Sequence, residues 1–191
     1  MCGRYTTFSE DDNFEMGQII AEVAAKYSDK TIKAGEVFPT NLAPVLIQVG
    51  EKIVADLLKW GFPGYQGNGV LINARAETAA DKKTFKESLF ARRCIIPSTG
   101  FYEWTGVYKK QKNLFSLPGE KMVYMAGFYN EFEGELRYMI LTTQANESIR
   151  NIHHRMPVIL KNDALQAWIP DTDFALDYLH ATMPELIYRQ V

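Results

Sequence analysis

Two pairs of apolar, β-branched segments, each pair joined by a short turn that contains glycine, constrain the fold of this chain more than any other feature. The segments cover residues 45–49 and 53–58 around Gly50-Glu51-Lys52, and residues 123–129 and 138–143 around Glu133-Gly134-Glu135. Glycine supplies the backbone conformation that a tight hairpin turn requires, and β-branched residues favour strands. The pattern predicts two β-hairpins and therefore a largely antiparallel sheet.

Helical patterns flank these strands. Ser9 is a predicted N-cap for a helix that runs to about Tyr27, and residues 80–93 form a second, more polar helical pattern. Near the C-terminus, Asn162 is a predicted cap for a short helix, and residues 173–181 predict one more.

Length and composition fit a single packed core. With 191 residues, 47% of them hydrophobic, we predict one α+β domain over residues 1–191, with an antiparallel, barrel-like β-sheet and flanking helices. No apolar run approaches the roughly 18 residues of a membrane span, and the first residues lack the apolar core of a secretory signal, so we expect a cytoplasmic protein. The 21 basic and 23 acidic residues give a net charge of −2, so any nucleic-acid partner must meet a local positive patch.

Cys2 is the most informative single residue. If Met1 is removed, Cys2 carries an α-amine and a thiol on neighbouring carbons. Their ordinary pKa values, about 8 and about 8.5, leave part of each nucleophile unprotonated at neutral pH. With an aldehyde, such a 1,2-aminothiol forms an imine and then closes a five-membered thiazolidine. The alternative is that position 2 simply holds a small residue.

Polar and small residues alternate in the segment Asn73-Ala74-Arg75-Ala76-Glu77. In an extended chain Asn73, Arg75 and Glu77 share one face, where Arg75 suits a phosphate or carboxylate and Glu77 can orient it. An exposed strand face with a surface ion pair is the alternative interpretation.

Two further segments carry titratable groups. Glu103 stands among three aromatic residues, where burial would raise its pKa towards values useful for acid or base catalysis. His153 and His154 precede Arg155, and in an extended chain only one of the two imidazoles can face a given site. An exposed strand glutamate and a loop with solvated histidines are the respective alternatives. No metal-ligand spacing such as C-x-x-C or H-E-x-x-H is present, so we predict no metal site.

Seven of these and neighbouring motifs occur in the order in which one known family carries them, and together they span nearly the whole chain. They are Met1-Cys2-Gly3-Arg4-Tyr5, Asn41-Leu42-Ala43-Pro44, Lys59-Trp60-Gly61, Asn73-Ala74-Arg75-Ala76-Glu77-Thr78, Arg92-Arg93-Cys94-Ile95-Ile96-Pro97, Gly100-Phe101-Tyr102-Glu103-Trp104 and His153-His154-Arg155-Met156-Pro157. The sequence thereby resembles the SOS response-associated peptidase family, the abasic-site processing proteins that covalently trap abasic sites in single-stranded DNA.

The resemblance implies a catalytic role for four residues. Cys2, exposed by removal of Met1, would close a thiazolidine on the ring-opened sugar aldehyde of the abasic site. Glu103 would be the acid/base, His153 would contact the phosphate beside the lesion and assist catalysis, and Asn73 would position the Cys2 backbone.

The predicted partner is single-stranded DNA that contains an abasic site. By resemblance, Arg75 and Arg4 contact DNA phosphates; Trp60 is a predicted stacking surface and Arg155 a further cation of the binding groove. We expect a monomer without cofactor, metal or membrane contact, located in the cytoplasm and associated with the nucleoid when bound to DNA.

Two other functions stay open. A cysteine autopeptidase would use Cys2 as nucleophile to remove a leader; because the sequence starts at Met1, we expect ordinary aminopeptidase action and rank self-cleavage second. A non-covalent reader of single-stranded or modified DNA would bind reversibly, in a salt-sensitive manner, and independently of Cys2.

Overall fold

The computed structural model describes residues 2–7, 14–27, 32, 35–65, 68–106 and 110–191, which form fifteen strands and five helices. The strands are β1 (Tyr5–Thr6), β2 (Glu36–Val37), β3 (Leu42–Val49), β4 (Lys52–Trp60), β5 (Phe62–Pro63), β6 (Val70–Leu71), β7 (Asn73–Arg75), β8 (Arg93–Ser98), β9 (Gly100–Thr105), β10 (Gln111–Ser116), β11 (Val123–Phe132), β12 (Glu135–Gln144), β13 (Arg155–Pro157), β14 (Ile159–Leu160) and β15 (Ile187–Gln190). The helices are α1 (Phe14–Lys26), α2 (Ala76–Ala79), α3 (Lys83–Ala91), α4 (Leu165–Trp168) and α5 (Thr172–Tyr178).

Five strands close into a barrel. They follow the order β12-β4-β3-β8-β11, and β11 pairs again with β12. All of these pairs are antiparallel except that of β4 with β12, where Lys59 lies opposite Arg137. Closure leaves no free edge within the barrel. The predicted α+β fold with a barrel-like sheet and flanking helices is confirmed.

Both predicted hairpins are present. The first joins β3 to β4 through Gly50, whose φ of 61° lies in the left-handed region. The second joins β11 to β12 through Glu133 and Gly134, with φ of 53° and 79°. Two successive residues at positive φ match the twist of an antiparallel pair. The strands of the second hairpin extend to ten residues each, beyond the predicted limits.

A second sheet, of order β15-β10-β9-β1-β2, carries the N-terminal strand. Tyr5 in β1 lies opposite Phe101 in β9, and the backbone N–H of Tyr102 donates to the carbonyl of Arg4 at 2.9 Å. The pairing brings the segment that precedes β1, where Cys2 lies, next to β9, the strand that carries Glu103.

The helices agree with the sequence in part. Helix α1 follows the first predicted helical pattern and buries Met16 and Val23, while its predicted cap, Ser9, is outside the described residues. The prediction at 80–93 needs a correction: the helix there, α3, starts only at Lys83, because Lys82 adopts an extended backbone (φ −75°, ψ 120°), and a separate short helix, α2, precedes the predicted range. None of the helices that the described residues form is long and apolar enough to cross a membrane.

The C-terminal helices also differ at their caps. Helix α4 starts three residues after the predicted cap, Asn162, and the residue before it, Ala164, makes no side-chain cap. Helix α5 is capped by Asp171, whose carboxylate accepts from the backbone N–H of Phe174 at 2.9 Å.

A buried arginine, Arg93, fastens these helices to the barrel. Its guanidinium donates to four backbone carbonyls and one hydroxyl, at distances from 2.6 to 3.0 Å. The acceptors are the carbonyl oxygens of Leu89, Phe90, Trp168 and Ile169 and the hydroxyl of Thr172. Carbonyls at helix ends lack intrahelical donors, so Arg93 satisfies groups that burial would otherwise leave unpaired.

Candidate active site

Cys2 is fully buried beside a strand that comes from a distant part of the chain. The Asn73 side-chain amide in β7 donates to the Cys2 carbonyl oxygen at 3.0 Å, and the thiol lies 3.9 Å from the Arg4 carbonyl. Burial raises the pKa of the Cys2 thiol well above its ordinary value, and the charge of Glu103 adds to the rise. The thiol is therefore held neutral in this environment.

Strand β7 shows the predicted alternation only in part. It runs parallel to β12, with Asn73 opposite Ile140, and buries Ala74 while Arg75 is exposed. The expectation that Glu77 shares this face and orients Arg75 was wrong. The chain enters α2 at residue 76, and the Glu77 carboxylate pairs with Arg155.

Glu103 supplies the carboxyl group of the site. It lies in β9 with only 4% of its surface exposed, and burial raises its pKa to about 7. This is the shift that its aromatic neighbours in the sequence predicted. One carboxyl oxygen lies 3.9 Å from Nδ1 of His153. A carboxyl group with a pKa near neutrality can donate or accept a proton at physiological pH.

His153 is half-buried and held by backbone. Its Nδ1 lies 3.0 Å from the backbone nitrogen and 3.1 Å from the carbonyl oxygen of Arg155. Burial lowers the pKa of His153, which favours the neutral imidazole. The His154 ring stacks on that of His153, with centroids 4.5 Å apart and an angle of 25° between the planes.

Two predicted DNA contacts do not fit the structure. The Trp60 side chain is fully buried, donates from Nε1 to the Ile72 carbonyl at 3.0 Å, and therefore offers no surface to a base. Arg155 is 7% exposed; its guanidinium makes two hydrogen bonds with the Glu77 carboxylate, at 2.6 and 2.9 Å, and a third with the Thr142 carbonyl. Both side chains have a structural role next to the site, because their polar groups already form hydrogen bonds with other protein atoms.

Arg4 keeps part of its surface exposed. Its guanidinium lies over the rings of Phe38 (4.1 Å) and Trp104 (5.0 Å) and donates to the Glu36 carboxylate at 3.2 Å. These cation–π contacts fix the guanidinium at the edge of the second sheet. Glu36 and Phe38 carry no local sequence signal for this role, since they lie more than 30 residues from Arg4 in the chain.

A pair of buried tyrosines beneath the site was also missed. The hydroxyls of Tyr5 and Tyr138 are 2.5 Å apart, and both side chains are fully buried. Trp60 contacts Tyr5 edge-on at 5.2 Å and stacks over Tyr138 at 6.3 Å. The three rings connect β1, which follows Cys2, to Ile72, which directly precedes Asn73, through the hydrogen bond from Trp60 to the Ile72 carbonyl.

Cys94 is a free thiol, fully buried in β8. In the part of the chain that the structure describes, no three histidine, cysteine or acidic side chains come together as possible metal ligands.

The chain belongs to the SOS response associated peptidase (SRAP) family, whose sequence profile matches residues 1–189. It is 35% identical over 202 residues to the abasic site processing protein YoqW of Bacillus subtilis, covering 96% of this chain and 86% of that protein. It is 28% identical over 179 residues to the abasic site processing protein YedK of Escherichia coli, covering 88% of this chain and 79% of that protein. The fold is similar to that of a crystal structure of a Bacteroides thetaiotaomicron protein, with a TM-score of 0.78 at 21% identity over 100% of this chain and 92% of that one.

Proposed function

We propose that this protein captures abasic sites in single-stranded DNA as a covalent thiazolidine at Cys2, after Met1 has been removed. The observation that carries the proposal is the convergence of Cys2, Asn73, Glu103 and His153, which come from four separate segments of the chain. The names of YoqW and YedK, both abasic site processing proteins, support the choice of substrate.

The chemistry follows from the 1,2-aminothiol. The unprotonated α-amine attacks the aldehyde carbon of the ring-opened sugar, and loss of one water gives an imine. The thiol sulfur then bonds to the imine carbon and its proton passes to the nitrogen, which closes the ring. The net change is the sum of protein and DNA minus one water.

The state of each side chain suits this order of steps. Because the Cys2 thiol is neutral, the amine is the first nucleophile and the thiol acts second, once the imine carbon is electrophilic. Glu103, with a pKa near 7, can give a proton to the sugar ring oxygen as it opens, take one from the amine as it attacks, and return it to the hydroxyl that leaves as water. Asn73 fixes the Cys2 backbone, so the amine and thiol meet the aldehyde in one orientation.

The same observations argue against the autopeptidase as the main activity. A cysteine peptidase needs a thiolate, and burial holds the Cys2 thiol in its protonated form. In place of a thiolate–imidazolium pair, Nδ1 of His153 is hydrogen-bonded to the Arg155 backbone.

The strand would be held by local cations. Arg75 is exposed next to Asn73, and Arg4 retains an exposed part at the edge of the second sheet. His153 would contact the phosphate beside the lesion. In this proposal the protein acts as a monomer in the cytoplasm, at the nucleoid when bound to DNA, without metal, cofactor or membrane contact.

The test is the intact mass of the protein before and after mixing with a single-stranded oligonucleotide that carries one abasic site. A starting mass without Met1, followed by a gain equal to the oligonucleotide minus one water, is the expected result. An undamaged oligonucleotide should give no gain.

Cys2→Ala and Cys94→Ala form a matched pair of variants, since both thiols are free and fully buried. We expect the adduct to disappear in Cys2→Ala and to persist in Cys94→Ala. An unchanged adduct in Cys2→Ala would refute the thiazolidine. Salt-sensitive binding without any adduct would favour the non-covalent reader.

A further inference from the structure

Asn113 is a buried polar residue that the chemistry proposed for Cys2 does not use. It lies in β10, directly opposite Glu103 in the antiparallel pair of β10 with β9, and only 1% of its surface is exposed. Residues that lie opposite each other in such a pair place their side chains on the same face of the sheet, with Cβ atoms roughly 5 Å apart. Asn113 is therefore the cross-strand neighbour of the candidate acid/base.

The side-chain amide of Asn113 has a defined orientation. Its Nδ2 donates to the Gln111 carbonyl at 3.0 Å, with longer contacts to the Glu103 carbonyl at 3.5 Å and the Thr105 hydroxyl at 3.4 Å. The opposite orientation would bring Oδ1 against two carbonyl oxygens, which are acceptors only. Nδ2 therefore faces these backbone groups, and Oδ1 points away from them.

The Oδ1 atom of Asn113 is buried, and none of the described residues donates a hydrogen bond to it. A buried acceptor is costly to leave unpaired, so such an atom in a folded protein calls for a donor on the same face. Glu103 lies on that face. A protonated carboxyl group has one O–H donor, whereas a carboxylate has none. The orphaned acceptor and the neutral form of Glu103 are therefore complementary.

The cation next to Asn113 in the sequence lies on the other face of the sheet. Lys112 precedes Asn113, and side chains alternate between the two faces along a strand. On that face Lys112 pairs with Glu36, as does Arg4. Lys112 therefore does not neutralise the Glu103 carboxyl group.

The titratable groups that face Glu103 from other segments are the α-amine at the start of the chain, the Cys2 thiol and the imidazole of His153. The charge of the α-amine lowers the pKa of Glu103, whereas burial holds the Cys2 thiol neutral. Nδ1 of His153 lies 3.9 Å from the carboxyl oxygen and accepts from the Arg155 backbone N–H. This nitrogen therefore presents a lone pair and no proton.

We propose that Asn113 is a positioning residue for Glu103: Nδ2 contacts the Glu103 backbone, and Oδ1 accepts a hydrogen bond from the protonated carboxyl group. The role of Glu103 as the acid/base rests on the function proposed above. Because this hydrogen bond exists only when the carboxyl group is neutral, it favours the form that gives a proton to the sugar ring oxygen. It acts in the same direction as burial, which raises the pKa of Glu103 to about 7.

The experiment follows the titration of Glu103 directly, by NMR of protein that carries ¹³C-labelled glutamate, with Glu103→Gln to assign the signal. Asn113→Ser replaces the acceptor by a shorter hydroxyl that can donate to a carboxylate. The pKa of Glu103 should then fall by about one pH unit, which is the free energy of about one hydrogen bond. Asn113→Asp places a second carboxyl group of the same shape opposite the first. The two carboxyl groups then titrate together, and the upper pKa should exceed that of wild type by about one pH unit or more.

Gln190→Ser is the matched control. Gln190 lies opposite Asn113 on its other side, in β15, and its side chain is exposed. Its loss removes a side-chain amide one strand further from Glu103, whose titration should stay that of wild type. A purely structural role of Asn113 would lower stability in both variants but would not move the pKa of Glu103 in opposite directions. Asn113→Asp keeps the size of the side chain and decides the question if Asn113→Ser does not fold. If Glu103 titrates in Asn113→Asp as in wild type, the two side chains do not interact and the proposal is wrong.

The titration needs no DNA, so its result is separable from the capture of abasic sites. If the thiazolidine proposal fails, wild type forms no adduct, but the titrations of Glu103 still shift in the two Asn113 variants. If the Asn113 proposal fails, the adduct forms and neither the titration nor the pH dependence of its rate moves. If both hold, the pH dependence of the rate of adduct formation should move with the pKa of Glu103, to lower pH in Asn113→Ser and to higher pH in Asn113→Asp.

Discussion

Arg93 and Glu103 are both buried ionisable residues, with 5% and 4% of their surfaces exposed, and burial disfavours the charged form of each: it lowers the pKa of Arg93 and raises that of Glu103. The Arg93 guanidinium donates to four carbonyls and a hydroxyl, all within 3.0 Å. At Glu103, burial raises the pKa of the carboxyl group to about 7.

The two residues therefore differ in role: Arg93 stabilises the fold, and Glu103 serves the chemistry of the site. Burial of a charged group is costly unless hydrogen bonds compensate for lost hydration. Arg93 is compensated by carbonyls and strengthens the fold. At Glu103 the cost is visible as a raised pKa, which gives the site an acid/base that works near neutral pH. Substitutions at the two positions should therefore act on different properties.

The largest effect is expected from Glu103→Gln. Loss of a positioned acid/base should slow adduct formation by about a hundredfold to ten-thousandfold. The wild-type rate should change with pH around 7, the pKa of Glu103, and in the variant only the rise due to deprotonation of the α-amine should remain. Gel-based rates between pH 5 and 9 provide the measurement. A variant with the wild-type pH profile would remove Glu103 from the chemistry.

The same substitution should stabilise the fold at high pH. A folded-state pKa raised from 4.5 to about 7 means that the stability of wild type is fully present below pH 4.5 and falls as pH rises to about 7. The shift corresponds to up to about 3 kcal/mol in the free energy of unfolding. Urea unfolding should show Glu103→Gln more stable than wild type at pH 8 but equal at pH 4.5, whereas exposed Glu131→Gln should show no such trend.

Arg93→Ala should have the converse effect. Removing the guanidinium leaves four buried carbonyls without donors, which should cost about 3 to 5 kcal/mol of unfolding free energy. Exposed Arg189→Ala is the control, with an expected change within about 0.5 kcal/mol. The rate of adduct formation per folded molecule should be that of wild type. A large loss of rate in folded Arg93→Ala would contradict the purely structural role of Arg93.

The tyrosine pair provides an intermediate case, because it is fully buried and satisfied but lies beneath the site. Tyr5→Phe or Tyr138→Phe leaves one buried hydroxyl without its partner and should cost about 1 to 3 kcal/mol. The double variant should recover most of this loss, since no buried hydroxyl remains. Additive losses in a double-mutant cycle of urea unfolding would show that the two hydroxyls are not coupled.

The smallest effect concerns the N-cap of helix α5, next to the Thr172 hydroxyl that accepts from Arg93. Asp171→Ala removes the acceptor for the Phe174 N–H and should cost about 1 kcal/mol, with no change in adduct rate. Thermal unfolding measures the loss, and Asp173→Ala, within the same helix, should have a smaller effect.

The sequence predicted those parts of the fold that depend on neighbours along the chain. Gly50 and Gly134 mark turns that their own backbone conformations require, and both hairpins formed around them. The short helix α2 and the late start of α3 were missed because no glycine or proline marks their ends. The sequence predicted a barrel-like sheet but not which strands close it, since the pairing of Lys59 with Arg137 joins residues 78 positions apart.

The candidate site shows the same division. The burial of Glu103 was predictable from the aromatic residues beside it. The pairing of Glu77 with Arg155 was not, because it depends on β7 lying beside β12 and β13 beyond it. Trp60 was expected at the DNA surface because an aromatic ring suits stacking. Its indole N–H instead donates to the carbonyl of Ile72, a contact between separate segments that local sequence patterns do not specify.

The hydrogen bond from Asn73 to Cys2 also has a consequence for protein synthesis. Cys2 is among the first residues to leave the ribosome, but the residues that surround it include Asn73 and Glu103. At typical elongation rates the last of these follows after on the order of ten seconds. During that interval a nascent chain that has lost its methionine exposes a bare aminothiol to any aldehyde in the cell, and only completed folding encloses the thiol.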